Sequence, residues 1–325
     1  MLASSPRTLV GGLRQRAGAA VVDTGLHALF HAARLHPRAD PARHGVERLR
    51  DLEYGAPTAR AHRLDVWRPV REGPFPVVLY VHGGGFRILS KDTHWMMALA
   101  YARAGYVVFN IDYRLAPAHK FPAAIEDVTL AYRWVVANAA RFGGDPARIA
   151  VAGESAGASL VTSLVVTTCY ERPEPWARAT FELGVVPRVA LPSCGLYQVS
   201  DVDRFSRGKR ALPLWLRDRL DEVEHAYLGG LAASPEELAL ANPLQVFEAG
   251  KRPARPLPAF HLLGATRDPL LEDTRRLAVA LRALDTQVVE RICAGEVHGF
   301  DALVWRPAAR QCWAERYALL DELMR

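Results

Sequence analysis

The chain has 325 residues, of which 50% are hydrophobic and 23% charged, with a formal net charge of +6. That composition supplies a large apolar core and excludes a disordered chain, and the length suits an α/β enzyme carrying an insertion. The positive charge is spread as scattered arginines without a basic run, which excludes the usual footprint of a nucleic-acid binder. No stretch approaches the roughly 18 consecutive apolar residues of a membrane span.

From the start of the chain, Met1 to Val22 is interrupted by arginines and has no unbroken apolar core, so no secretory leader is expected. Val21, Val22, Leu26, Leu29, Phe30 and Ala33 recur at helical spacing and predict a helix over 19–35, stopped before Pro37. Strands and helices then alternate. Leu64–Trp67 and 76–81 are predicted strands, 92–104 a helix, 106–111 a strand, 122–140 a helix and 148–152 a strand. A helix over 156–169 follows directly. Later strands are expected near 186–191, 258–263 and 287–292, with helices over 271–284 and 307–324 between and after them. This order implies a mostly parallel sheet covered on both faces.

From about 200 to 255 no strand is predicted. Trp215, Leu216, Leu220, Val223 and Tyr227 fit one amphipathic helix, and Ser234-Pro235-Glu236-Glu237 has the form of a capped helix start. Such an insertion would lie over the carboxyl ends of the strands, where open α/β sheets form their sites. Trp215 and Tyr227 are expected either to line a substrate tunnel or to pack the insertion. The four cysteines, Cys169, Cys194, Cys293 and Cys312, have no C-x-x-C spacing and no accompanying histidine cluster. They are expected to be buried free thiols of a cytoplasmic protein.

Two motifs close predicted strands. His82-Gly83-Gly84-Gly85 follows the strand 76–81, and Gly153-Glu154-Ser155-Ala156-Gly157 follows 148–152. A Gly-x-Ser-x-Gly segment should arise by chance about 0.1 times in a chain of this size, and the His-Gly-Gly-Gly tetrad below about 0.01 times. The glycine-flanked Ser155 suits a strained strand-to-helix turn that exposes a nucleophile. The glycine loop and the amide of Ala156 supply N–H donors for an oxyanion. His82 is expected to shape its loop through a backbone hydrogen bond.

Serine needs a base and the base an orienting carboxylate. In the order Ser, Asp, His, the histidines after Ser155 are His225, His261 and His298. His225 falls on the insertion helix and His261 inside a strand. His298 follows the last strand in Gly295-Glu296-Val297-His298-Gly299-Phe300. Asp268 follows the strand near 258–263, leaving room for one helix and one strand before His298; Asp273, Asp285 and Asp301 are worse placed. Ser155, Asp268 and His298 are the expected triad. The rate is expected to rise as His298 becomes neutral, near about 6.5 if its site leaves it unshifted.

On these residues the chain resembles the hormone-sensitive lipase family of carboxylesterases. The matching segments are His82–Phe86, Asp112-Tyr113-Arg114-Leu115-Ala116-Pro117, Phe121-Pro122-Ala123-Ala124, the serine elbow, Asp268-Pro269-Leu270 and His298-Gly299-Phe300. The resemblance implies an α/β-hydrolase fold with a mostly parallel eight-stranded sheet and a helical cap. It implies oxyanion donors at Gly84, Gly85 and Ala156, and neither a metal nor an organic cofactor. The expected organisation is N-terminal cap helices over 1–50, hydrolase core over 51–199, a cap insertion over 200–255 and further core over 256–325. The family's elbow usually has Asp where this chain has Glu154, and Gly where it has Ala158; Glu154 reaches farther and could touch the pocket wall. No acyl-pocket residue is assigned.

The expected function is hydrolysis of short- to medium-chain acyl esters through an acyl-enzyme. Amide, formamide or lactone hydrolysis by the same triad is the alternative, and a non-catalytic ligand receptor on a hydrolase fold the alternative of another class. The expected partner is a small-molecule ester, with no nucleic acid and no membrane span; association with further copies is left open.

Overall fold

The computed structural model describes residues 24–25, 28–30, 32–56, 61–207, 212–231 and 233–324. The helix expected over 19–35 falls partly outside them; 24–25, 28–30 and 32–33 are helical. Eight strands make one sheet in the order β1-β2-β4-β3-β5-β6-β7-β8. They are β1 (Val46–Glu53), β2 (Arg63–Pro69), β3 (Phe75–Val81), β4 (Val107–Ile111), β5 (Gly144–Glu154), β6 (Val189–Ser193), β7 (Ala259–Ala265) and β8 (Val288–Cys293). β2 runs antiparallel to both β1 and β4, and every pairing from β4 through β8 is parallel.

The parallel strands are apolar runs because both of their faces are covered. Along β3, Val77, Leu79 and Val81 enter one cluster while Val78 and Tyr80 enter the other. Ile149 and Val151 of β5 side with the first group, and Ala150 and Ala152 with the second. The helices α1 (Trp95–Arg103) and α8 (Pro307–Met324) cover the face of Val78 and Tyr80, through Met97, Tyr101, Trp313 and Leu320. The helices α2 (Ala123–Asn138), α3 (Ala156–Cys169), α4 (Pro175–Glu182) and α7 (Leu271–Ala283) cover the other. All fourteen residues of α3 are buried. Its threonine hydroxyls turn back onto its own carbonyls, Thr162 onto Ala158 at 2.7 Å and Thr168 onto Val165 at 2.9 Å, and Ser159 and Ser163 donate to the carbonyls of Leu196 and Leu240, so each buried hydroxyl of the helix has a partner.

The strand order decides where the site sits. From β3 the chain crosses to β4 on one side and then returns past β3 to β5 on the other. Successive connections therefore diverge at the carboxyl ends of β3 and β5, which opens a crevice there. Val81 pairs with Gly153, and Glu154 with Ser193, so the ends of β3, β5 and β6 lie level.

Some expectations are revised. β1 begins at Val46, so the segment 1–50 is not helical throughout. Its pattern of mostly exposed charged residues is that of an edge strand with one wet side, and it lacks the apolar run that marks the inner strands. In the insertion, α5 (Leu214–Leu228) is the amphipathic helix expected there. Ser234 and Glu237 form the reciprocal capping bonds, with the Ser234 amide donating to Glu237 Oε2 at 2.7 Å and the Glu237 amide to Ser234 Oγ at 3.3 Å. No helix follows that cap; 235–241 is a run of turns. α6 (Pro243–Glu248) then packs on the sheet side, where the Leu244 amide bonds the Tyr197 carbonyl at 3.1 Å. Among the described residues no helix is long and apolar enough to cross a membrane.

Candidate active site

β5 ends at Glu154 and α3 begins at Ala156, leaving Ser155 alone in the turn with φ 55° and ψ −118°. A residue with a side chain avoids this region, at a cost of about 1–3 kcal/mol. The turn is held by the Ser155 amide, which donates to the Ser193 carbonyl at 2.9 Å. It is also held by close packing: a Cβ on Gly157 would sit 2.1 Å from the Val81 carbonyl oxygen, and one on Gly153 would sit 2.5 Å from that of Gly157. Only glycine lets α3 start this close to β3.

His298 lies in the loop after β8. Its Nδ1 is 2.9 Å from Asp268 Oδ2, and its Nε2 is 3.0 Å from Ser155 Oγ. Asp268 comes from the turn after β7, where its amide bonds the Ala265 carbonyl and its Oδ1 accepts the Leu270 amide at 2.9 Å. The three groups chosen from the sequence thus meet in one hydrogen-bonded line, with α7 and β8 filling the interval between Asp268 and His298. His225 lies on α5, and His261 is buried in β7 with neither ring nitrogen hydrogen-bonded. Burial pushes the His261 pKa down to about 3, so it stays neutral.

Electrostatics tie the line together. Burial opposes a charge on His298, but the Asp268 carboxylate, then Glu154 and Asp301, outweigh it and raise its pKa to about 9. Burial likewise pushes Asp268 up, and the charge and hydrogen bond of His298 with the Leu270 amide bring it below its ordinary value. The expected midpoint near 6.5 is therefore displaced upward.

The glycine loop folds back from β3 with Gly84 at φ 111° and Gly85 at φ 59°. The Gly84 carbonyl accepts the amides of Arg87 and Ile88, both at 3.1 Å, which turns the loop. His82 is buried, stacks on Tyr113 with ring centroids 4.3 Å apart, and approaches the Gly83 carbonyl at 2.7 Å through Nδ1. Burial drops its pKa to about 3, so the neutral ring donates that bond. Ala156, at the first position of α3, has one of the amides that a helix start leaves without an intrahelical acceptor. α5 presses on this loop: a Cβ at Gly85 would meet Val223 Cγ2 at 2.7 Å, Phe86 stacks on Tyr227 at 3.9 Å, and Arg87 pairs with Glu222 at 2.6 Å. Of the two aromatics noted in the insertion, Tyr227 packs and Trp215 is exposed.

Two groups around the line were not singled out in the sequence as partners of the triad. Glu154 Oε1 lies 3.7 Å from His298 Nε2, and its Oε2 lies 3.3 Å from His94 Nε2. Behind the histidine loop, Arg316 reaches Asp301 at 3.5 Å and Ser193 Oγ at 2.7 Å, all buried. The only sequence signal for Glu154 is its departure from the usual elbow. Cys194 Sγ, Asp268 and His298 offer ligand atoms within 4.8 Å of one another. Asp268 and His298 are spent on each other, and burial holds the Cys194 thiol well above its usual pKa and so protonated, a poor donor set for an ion. All four cysteines are buried and free.

A family model described by the alpha/beta hydrolase fold matches residues 78–302. The carboxylesterase NlhH of Mycobacterium tuberculosis is 34% identical over 236 residues, covering 72% of this chain and 69% of that protein. Among solved structures, the esterase LipW of Mycobacterium marinum matches 94% of this chain and 90% of its own, with a TM-score of 0.74 and 27% identity. The carboxylesterase EstE1, cloned from a metagenomic library, matches 100% of this chain and 99% of its own, with a TM-score of 0.71 and 26% identity.

Proposed function

We propose, for a chain that belongs to the α/β-hydrolase fold family and is a carboxylic ester hydrolase, that Ser155, His298 and Asp268 perform the acyl transfer. The observation that carries this reading is the unbroken line from Ser155 Oγ to His298 Nε2 at 3.0 Å and from Nδ1 to Asp268 Oδ2 at 2.9 Å. In the first half-reaction the neutral imidazole takes the Oγ proton at Nε2 while Oγ bonds the ester carbonyl carbon. The carbonyl π pair moves to oxygen, and the amides of Gly84, Gly85 and Ala156 receive that oxyanion. Collapse of the tetrahedral adduct expels the alcohol, which leaves with the proton from Nε2. Water then repeats the sequence on the acyl-enzyme. Asp268 fixes the tautomer and stabilises the imidazolium without itself being protonated.

The acyl group is short to medium in length. The support is α5, whose Glu222, Val223 and Tyr227 lie against the glycine loop and limit the room beside the serine. On this reading α5, within the segment 200–255, serves as part of the cap. Each methylene buried in such a channel contributes about 0.8 kcal/mol until the channel is full, so kcat/KM should peak at roughly two to eight acyl carbons and then fall. The buried free thiols support a reducing compartment, the cytoplasm, as its place of work.

A fluorophosphonate probe and a graded ester panel test this reading together. The wild type should be labelled at Ser155, and Ser155→Ala should lose both the label and turnover, the latter on the order of 10⁶-fold. A Ser155→Ala protein that still turned over esters near the wild-type rate would overturn the nucleophile. A preference for sixteen-carbon acyl chains would overturn the cap.

A further inference from the structure

The proton accepted by His298 is flanked by two carboxylates, not one. Asp268 faces Nδ1 at 2.9 Å, and Glu154 faces Nε2 at 3.7 Å, beside the 3.0 Å contact to Ser155 Oγ. Glu154 cannot easily turn away. Its Oε2 accepts the Nε2 proton of His94 at 3.3 Å, and the Gly83 backbone lies close to the same ring nitrogen. His94 is fixed in turn by Thr93 Oγ1 at 3.0 Å and the Ser90 carbonyl at 3.3 Å. The carboxylate also fills the space where a Cβ on Gly83 would come, with Oε2 at 3.1 Å, and it lies against Gly299 beside the base. An aspartate at this position would be one methylene shorter and would draw back from the imidazole.

We infer that Glu154 is a positioning residue for His298: steered by His94, its carboxylate stabilises the imidazolium from the Nε2 side and sets the pH range over which the site turns over. The inference rests on the reading of His298 as the general base. The ionisable groups around the pair come from every neighbouring element. Asp268 follows β7, Asp301 shares the histidine loop and is paired with Arg316 of α8, and His94 precedes α1. Tyr80 and Tyr113 face Glu154 as neutral phenols, raised well above their usual range chiefly by burial. Burial opposes the charge on Glu154, but His94 and then His298 keep it below its ordinary value, so it is ionised when the enzyme works.

The stabilisation acts twice, with opposite consequences. In the resting enzyme at neutral pH it holds a proton on the base and keeps it idle. In the transition state it supports the imidazolium that proton transfer creates. An opposite charge at about 4–6 Å or nearer shifts a pKa by about 1–3 units. The lower end applies here, because Glu154 is shared with His94 and the His298 side chain is 34% exposed.

The test is the pH dependence of kcat/KM on a water-soluble butyrate ester for wild type, Glu154→Asp and Glu154→Gln, read beside a histidine NMR titration of His298 assigned with His298→Asn. The midpoint should fall by about one pH unit in Glu154→Gln and by less in Glu154→Asp. At pH 7 the larger neutral fraction should then make the Gln variant faster than wild type by at most about tenfold, a gain reduced by whatever factor its alkaline plateau falls below wild type. Unchanged midpoints in both variants, with only a lower melting temperature, would overturn the inference and leave Glu154 a packing residue. A His298 midpoint that moves in the NMR titration while the rate profile does not would support the pairing and overturn His298 as the base. If Glu154→Gln fails to fold, Glu154→Asp alone decides by the direction of its shift.

Discussion

Replacing Gly157 by alanine adds one methyl group at the point where α3 begins against β3. The new Cβ would lie 2.1 Å from the Val81 carbonyl oxygen and 2.7 Å from that of His82. Ordinary contact begins near 3.4 Å, so the first of these falls short by more than an ångström. Both obstacles are backbone, and Val81 is hydrogen-bonded in the sheet between β4 and β5, so no side chain can swing aside. The helix start must move outward and take Ser155 with it, away from His298 Nε2 at 3.0 Å and from the glycine loop. A misplacement of about 1 Å in a catalytic group costs about 10²-fold, or ~2.7 kcal/mol of barrier. Overpacking of this kind also costs about 1–3 kcal/mol of stability, a drop of about 2–5 °C in a chain of this size. kcat/KM on a short ester, fluorophosphonate labelling rate and thermal unfolding measure the three effects. Gly143→Ala is the control: its φ is 81° but nothing lies within 4 Å of a Cβ there, so it should lose stability and keep its activity. A Gly157→Ala enzyme with wild-type kcat/KM would refute the claim that the elbow's position depends on this contact.

The wild-type kcat/KM should climb with an acid limb centred near 9, because only the neutral His298 can act as base; a midpoint near 6.5 in the rate profile would refute the two-carboxylate environment. The same group contributes stability in the opposite sense. Its folded-state pKa is raised, so its contribution is complete below about 6.5 and is lost as pH rises through about 9, which a melting-temperature series across that window would follow. Arg316→Met should leave the Asp301 carboxyl buried without its cation and lower the melting temperature by about 4–7 °C, from about 3–5 kcal/mol for breaking a buried pair. Adding Asp301→Asn should recover much of that loss, and an unchanged melting temperature in the single variant would refute the pairing.

What could be read in the sequence were features whose cause is local. A strand buried on both faces needs an uninterrupted apolar run, so 76–81 and 106–111 stand out, and α3 was predictable over 156–169 because the elbow marks its start. The positions of Ser155, Asp268 and His298 could be argued because each follows directly on a strand, where a parallel sheet gathers its site. β1 could not be seen, because an edge strand such as Val46–Glu53 alternates irregularly between charge and partial burial. α4 and α6 have eight and six residues, too few turns for a helical period to emerge. The capping signal at Ser234 was real and its bonds form, but nothing apolar and periodic follows to propagate a helix. The contact of Glu154 with His94 spans 60 positions, and that of Arg316 with Ser193 spans 123; no spacing rule reaches so far.

The strain at Ser155 and the position of Glu154 follow from the same arrangement. A φ of 55° at a serine persists only where its surroundings over-determine it. Here the residue is bounded by a strand hydrogen-bonded on both sides and by a helix with no exposed face, so relaxing the turn would mean moving one of two buried elements. The direction in which the serine is forced out of the sheet also fixes its neighbours. Glu154, one residue earlier, is still in β5 and pairs with Ser193 of β6. Its side chain therefore leaves the sheet at the level of the strand ends, beneath the loop from β3 that carries Gly83 and beside the loop from β8 that carries His298. The residue before the nucleophile is thus obliged by the sheet to face the base, and its length decides how closely. A side chain at this position acts on the proton that His298 accepts while contributing no atom to the bond being broken, so the pH range of the site can change without any change in the triad.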